Sequence, residues 1–176
     1  KVKIMHICGT HEHTISESGL RTLLPDNIEM LAGPGCPVCV TPVKDIVKVS
    51  EIAKQKDMTL TTFGDMYKIP TPYGSFEDQK SEGLDVKIVY SIKDSLEMAE
   101  NSDKDIIHFA AGFETTTPPT SAVLMDAKEK ELDNFYIYSV HRLTPPVVEV
   151  LLKLGVEFDG LIVPGHVATI TGGKGW

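Results

Sequence analysis

Ile28-Glu29-Met30-Leu31-Ala32-Gly33-Pro34-Gly35-Cys36-Pro37-Val38-Cys39-Val40-Thr41-Pro42 decides how this chain is read. The apolar opening suits a short strand, the glycines a turn, and the stretch from Pro42 onward a helix. Thr41 fits the N-cap and Pro42 the first helical position, where a missing N–H costs nothing. A strand that turns directly into a helix is part of a βαβ unit and implies parallel sheet. Cys36 and Cys39 are spaced so that both thiols can reach one metal ion or close on each other as a disulfide. Cys39 is expected just ahead of a helix N-terminus, whose partial positive charge lowers a thiol's pKa. Two buried, inert cysteines are the alternative, and the Gly-Pro frame on both sides favours chemistry.

Upstream, Cys8 ends the apolar run 2–7 and opens Cys8-Gly9-Thr10-His11-Glu12-His13-Thr14. A strand tip followed by two histidines and an acid places several metal-competent atoms together. In open α/β sheets ligands sit outside the carboxyl ends of the strands. Both cysteine motifs follow strands, so both are expected to face one crevice.

The pattern continues along the chain. Apolar runs at 4–7, 28–32, 58–63 and 86–90 alternate with helix-like segments, and a second series follows at 106–111, 135–140 and 161–163. Val43, Ile46, Val47 and Ser50 have helical spacing, as do Val147, Val150, Leu151 and Leu154. The stretch 69–83, with Pro70, Pro72 and Gly74, reads as a loop. An internal repeat is visible at an offset of about 103 residues. Ile7-Cys8-Gly9 meets Ala110-Ala111-Gly112, and Thr41-Pro42-Val43 meets Thr144-Pro145-Pro146. With a slip of two, Phe63-Gly64-Asp65 meets Pro164-Gly165-His166. The expected fold is α/β, with two similar Rossmann-like units of mainly parallel sheet facing a central cleft. Their expected ranges are 1–102, which carries the cysteines, and 103–176, which is incomplete.

Composition narrows the function classes. The 176 residues are 41% hydrophobic, enough for a real core, and carry a net charge of −8 with a pI near 5.2. No basic cluster is present, so neither nucleic acid nor an anionic membrane is an expected partner. No apolar run approaches the roughly 20 residues of a membrane span, and no signal peptide is evident. Three cysteines, an odd number in a chain of this size, suit a reducing cytoplasm where thiols serve metals or redox chemistry. The absence of an initial Met and the stop after a glycine-rich turn suggest a fragment of something longer. Gly172-Gly173-Lys174-Gly175 is not a phosphate loop, because glycine stands where a hydroxyl residue should follow Gly-Lys.

Five blocks, Cys8–His13, Gly33–Pro42, Phe63-Gly64-Asp65-Met66, Gly112-Phe113-Glu114-Thr115-Thr116 and Pro164-Gly165-His166-Val167, together resemble, in this order, the HypD family of hydrogenase maturation factors. The resemblance covers nearly the whole chain. It implies a scaffold on which the Fe(CN)2CO unit of nickel-iron hydrogenase is assembled, in complex with the small chaperone HypC and with HypE delivering cyanide. It also implies a four-iron four-sulfur cluster in a C-terminal region that lies beyond this chain. The first motif departs from the frequent Cys-Gly-Gly-His-Thr-His at Thr10 and Glu12, while the histidine spacing is kept.

By this resemblance Cys8 is the iron ligand, with a second thiolate coming from HypC. His11 and His13 are placed near the iron, and Cys36 and Cys39 form a redox pair acting as cyanide is formed from thiocyanate. Glu114, Thr115 and Thr116 follow a strand and are expected to offer a helix start to an anion. Asp65 and His166 occupy matching turns and are expected to line the cleft. Pro34, Pro37, Val38, Val40 and Met66 predict a largely apolar partner contact around the cysteines. Two other function classes compete with the scaffold. One is a thiol-disulfide oxidoreductase built on the Cys-x-x-Cys pair. The other is a zinc module using Cys8, Cys36, Cys39 and a histidine.

Overall fold

The structure is a computed structural model and describes residues Lys1–Trp176, apart from the surroundings of Gly175. In chain order the elements are β1 (Val2–His6), α1 (Gly9–Glu17), α2 (Leu20–Leu23), β2 (Ile28–Ala32), α3 (Pro37–Val40), α4 (Val43–Gln55), β3 (Thr59–Thr62), α5 (Gly64–Tyr67), α6 (Phe76–Ser81), β4 (Val86–Ile88), α7 (Ile92–Glu100), β5 (Ile106–Ala110), α8 (Thr117–Glu129), β6 (Phe135–Ser139), α9 (Thr144–Lys153), β7 (Gly160–Ile162) and α10 (Gly165–Thr171). Each of the seven apolar runs is a strand, and each strand pairing described is parallel. Parallel neighbours need a crossover between them, which the intervening helices supply. The fold is α/β, as the alternation predicts.

Two local expectations are corrected. The helix expected from Pro42 is preceded by a separate turn of helix, α3, and α4 starts one residue later, with Pro42 as its N-cap. The expected loop 69–83 contains α6. Ser75 and Asp78 form a reciprocal capping box there, and Phe76 behind the cap is fully buried. That cap satisfies two otherwise orphaned backbone donors, which is why so short a helix forms.

The chain divides into two compact units, and they are not the ranges 1–102 and 103–176. The first is Lys1–Val40 with Phe113–Thr115 and Arg142–Trp176; the second is Thr41–Gly112 with Thr116–His141. Strand pairing explains the correction. The first unit holds the sheet β2-β1-β7 and the second β4-β3-β5-β6, so a cut at 102 would sever β7 from β1 and β5 from β3. The internal repeat survives in altered form: β1, β2 and β3 match β5, β6 and β7. The third strand of each copy joins the sheet of the other.

Each unit has its own core. In the first, Met5, Ile7 and Val148 are buried, with Leu31, Leu151, Val156, Phe158, Leu161 and Trp176 packed around them. In the second, Ile92, Leu96 and Ala99 of α7 and Val123 and Ala127 of α8 close over Ile106 and Phe135 on one sheet face. Side chains alternate along a strand. Phe109 therefore points to the opposite face, where it meets Phe76 edge-on at 5.9 Å.

His108, beside Ile106 on the α7 face, is fully buried. Its Nδ1 lies 3.0 Å from the Thr61 hydroxyl and 3.2 Å from that of Ser95. Burial pushes its pKa down to about 4, so the ring is neutral at ordinary pH.

Candidate functional site

The site is built where β1 and β2 end. The two strands pair along their whole length up to His6 opposite Ala32. Beyond β1, Cys8 is buried and holds the N-cap position of α1. Beyond β2, the Gly33 N–H donates to the His6 carbonyl at 2.9 Å, so the Gly-Pro-Gly turn folds back onto the end of β1. A Cβ on Gly35 would lie 2.5 Å from the Ile7 carbonyl carbon and 2.6 Å from the Cys8 nitrogen. Only glycine allows that approach. A Cβ on Gly9 would meet the Cys36 Cβ at 3.7 Å, so the two cysteine motifs lie against each other, as their placement after adjacent strands predicts.

The thiols differ in setting. Cys8 is buried, Cys36 half-buried and Cys39 exposed, and all three are free. Cys36, not Cys39, is the residue that precedes a helix, because α3 begins at Pro37. The Cys39 N–H donates to the Cys36 Sγ at 3.4 Å. The Cys39 thiol is pushed up, first by hydrogen bonding to Cys36, then by burial and by repulsion between the two sulfurs. The expectation of an acidic Cys39 is therefore corrected: its strongest neighbour is a second sulfur, which favours the protonated form. The pair can still exchange with a disulfide or close on itself, a two-electron change.

His11 is half-buried on α1, and its ring meets His6 at a centroid distance of 6.1 Å. With His6, Thr10, Thr14, Ile15, Leu20, Met30 and Ile162 it lines a cavity of about 260 Å3. The Nδ1 atoms of His6 and His11 are buried there without a hydrogen-bond partner. His6 was missed in the sequence because it sits inside an apolar strand run, although a polar residue in such a run is itself a signal. It is 1% exposed and lies 3.0 Å from the Glu12 carboxylate. Arg21 grips that carboxylate with two N–H donors at 2.9 and 2.7 Å, and with Ser16 it holds the Glu12 pKa down at about 2. Glu12, the residue that departs from the family motif, thus ties α1 and α2 to the buried strand.

Other expected site residues are distributed differently. His13 faces solvent and pairs with Glu17 at 3.5 Å. His166 is exposed in the first turn of α10. Glu114 is buried, and its carboxylate accepts the Thr144 N–H at 2.6 Å and the Thr144 hydroxyl at 2.7 Å. It caps α9 and so does not leave a helix start open for an anion, which corrects that expectation. Thr115 is half-buried in the same three-residue segment of the first unit. Thr116 is the N-cap of α8 and makes no side-chain cap bond. Asp65 belongs to the second unit, exposed in α5, next to Met66, whose full burial removes it from any partner contact.

Among the described residues no three His, Cys, Asp or Glu side chains are gathered as a metal site. A four-iron four-sulfur cluster takes four thiolates and this chain has three cysteines, so its residues do not fit that group. No helix among those described is long and apolar enough to cross a membrane.

Comparison with known proteins agrees with the motifs. A protein of Methanocaldococcus jannaschii, named for hydrogenase expression/formation, is 51% identical over 99% of this chain and 49% of its own length. The hydrogenase maturation factor HypD2 of Bradyrhizobium diazoefficiens is 41% identical over 97% of this chain and 47% of its own. Escherichia coli HypD is 41% identical over 97% and 46%. The chain thus spans about half the length of the curated relatives it matches. The family described as "HypD: Hydrogenase formation hypA family" matches residues 1–176, so the chain that packs Cys8 against the Gly-Pro-Gly-Cys turn belongs to the HypD family.

Proposed function

We propose that this chain forms the iron-handling part of a cytoplasmic scaffold for the Fe(CN)2CO unit of nickel-iron hydrogenase. The observation that carries the reading is the meeting of the Cys8 and Cys36 motifs at the ends of two paired strands, with Gly35 at a distance no other residue tolerates. Iron is the cargo. Cys8 supplies one thiolate, a good donor to a soft low-spin centre, and a small chaperone of the HypC type supplies another. His11, on the first helix after Cys8, stands beside the cargo. The partner contact uses the half-buried Pro34, Pro37, Val38 and Val40 around the cysteines.

Cys36 and Cys39 supply two electrons when cyanide arrives as a thiocyanate from a HypE-type donor. One thiolate and one thiol join as a disulfide, and the S–CN bond breaks. The donor sulfur leaves as a thiol and the carbon as cyanide, which the iron takes up. The four-iron four-sulfur cluster belongs to the full-length protein, beyond this chain.

The test is Cys8→Ala in the full-length protein, purified anaerobically with its small partner. The expected result is loss of the cyanide and carbonyl infrared bands with the far-ultraviolet spectrum unchanged. Bands that persist in a folded variant would place the iron elsewhere. Bands that also survive the removal of Cys36 and Cys39 would return that pair to a general thiol-disulfide role.

A further inference from the structure

The first unit has the plan of the second with one strand and one helix missing. α1 crosses from β1 to β2 as α8 crosses from β5 to β6, and β7 lies beside β1 as β3 lies beside β5. In the second unit β3 carries a further strand, β4, on its other side, and the helix after it, α7, packs with α8 over the sheet. In the first unit, among the described residues, β7 has no strand on its other side, and α1 covers the corresponding face without a second long helix.

Two further observations mark the same gap. The cavity of about 260 Å3 lined by Ile15, Leu20, Met30 and Ile162 lies on that α1 face, where α7 sits in the other unit, and Ile162 is left 43% exposed. The polar groups differ at one atom type. Ser95 on α7 reaches the buried His108 Nδ1 at 3.2 Å and leaves only its Nε2 without a partner, whereas the buried Nδ1 atoms of His6 and His11 have no hydrogen-bond partner. An orphaned buried nitrogen is costly and calls for a donor or acceptor.

The ends of the two copies also correspond. Trp176 packs into the core of the first unit much as Phe76 packs on Phe109 in the second. Each follows the glycine that opens the preceding helix, Gly165 or Gly64, at nearly the same distance. β4 starts ten residues after Phe76, and α7 comes next.

We propose that residues following Trp176 complete the first unit. A strand adds in parallel to the free edge of β7, and the helix after it seats on Ile15, Leu20, Met30 and Ile162 and brings a polar side chain to His6 or His11. The relatives, about twice as long as this chain, have the length to provide both. The pocket beside His11 is then a closed wall and not a small-molecule cavity.

The full-length protein tests this in two ways. In Ile162→Cys, maleimide labelling read peptide by peptide is expected to be at least a hundredfold slower than in Tyr90→Cys, whose position is 96% exposed. Equal rates would overturn the proposal. So would protection that disappears on dilution, since it would come from a second copy of the protein. Hydrogen exchange on the unsubstituted protein covers the case in which the variant does not fold. The backbone of Ile162 faces β1, its carbonyl accepting from the Ile7 N–H at 3.0 Å, so the backbone N–H of Leu161 points to the free edge. A Leu161 amide as protected as that of Met5 in β1 is expected, and one exchanging at the unprotected rate would show that β7 remains an edge.

Discussion

The two units share a repeat, and each buries a strand histidine whose pKa burial lowers, with different neighbours. In the second, His108 lies under α7, has hydroxyl partners on Nδ1 but none on Nε2, and stays neutral because charge is penalised by burial. In the first, His6 is equally buried, but its neighbours are a carboxylate gripped by Arg21 and the ring of His11, and its Nδ1 has no partner. All three cysteines belong to the first unit. The contrast teaches that the three thiols lie in the unit with the three-stranded sheet, while the other copy of the plan, with four strands, carries none. The differences can be broken one at a time.

The largest effect is expected at the closed core. Phe109 is fully buried between Phe76 and Tyr138, each at a ring distance of 5.9 Å. Phe109→Ala loses the transfer energy of the ring and leaves a cavity that β5, paired on both sides, cannot close. The expected loss is about 3–5 kcal/mol of unfolding free energy in urea titration. A loss below about 1 kcal/mol would mean that this core collapses around the deletion and is not closed.

Acid comes next. The folded pKa of His108, about 4, lies below the unfolded value of 6.5. The unfolded chain therefore binds the extra proton first, and stability falls as pH drops from 6.5 to 4. At about 1.4 kcal/mol per unit the loss approaches roughly 3 kcal/mol at the low end. Unfolding midpoints measured across that range, with the His108 ring followed by NMR, check it. A ring that titrates near 6.5 in the folded protein would refute the closed-core description.

Much of this was legible beforehand, for identifiable reasons. The strands were readable because their apolar residues run together between turn signals, most fully in β3 and β5, which are buried along their whole length. The approach of the two cysteine motifs followed from their placing after strands. The unit boundaries were not readable, because which sheet a strand joins depends on long-range pairing, and β3 and β7 each join the sheet of the other repeat copy. Glu114 followed a strand as an anion site would, but its partner Thr144 is thirty residues away and pattern alone could not pair them. The acidity of Cys39 was misjudged for a local reason: four residues of α3 moved the helix start from Pro42 to Pro37, next to Cys36.

That last difference sets the smallest and sharpest expectation, one of rate with little change in stability. Cys39 is exposed, so access does not limit its alkylation. Its thiol pKa is raised, chiefly by hydrogen bonding to Cys36, which lowers the thiolate fraction at any pH below it. The thiolate is the reacting species. Cys39 should therefore react with iodoacetamide more slowly at pH 8 than an ordinary exposed cysteine. Cys36→Ala removes both the hydrogen bond and the repulsion between the sulfurs, so the Cys39 pKa should fall and its alkylation accelerate a few-fold. Peptide-resolved mass spectrometry over pH 7–10 measures both profiles. Superimposable curves would show that the two sulfurs do not communicate, and the redox pairing proposed for them would lose its local basis.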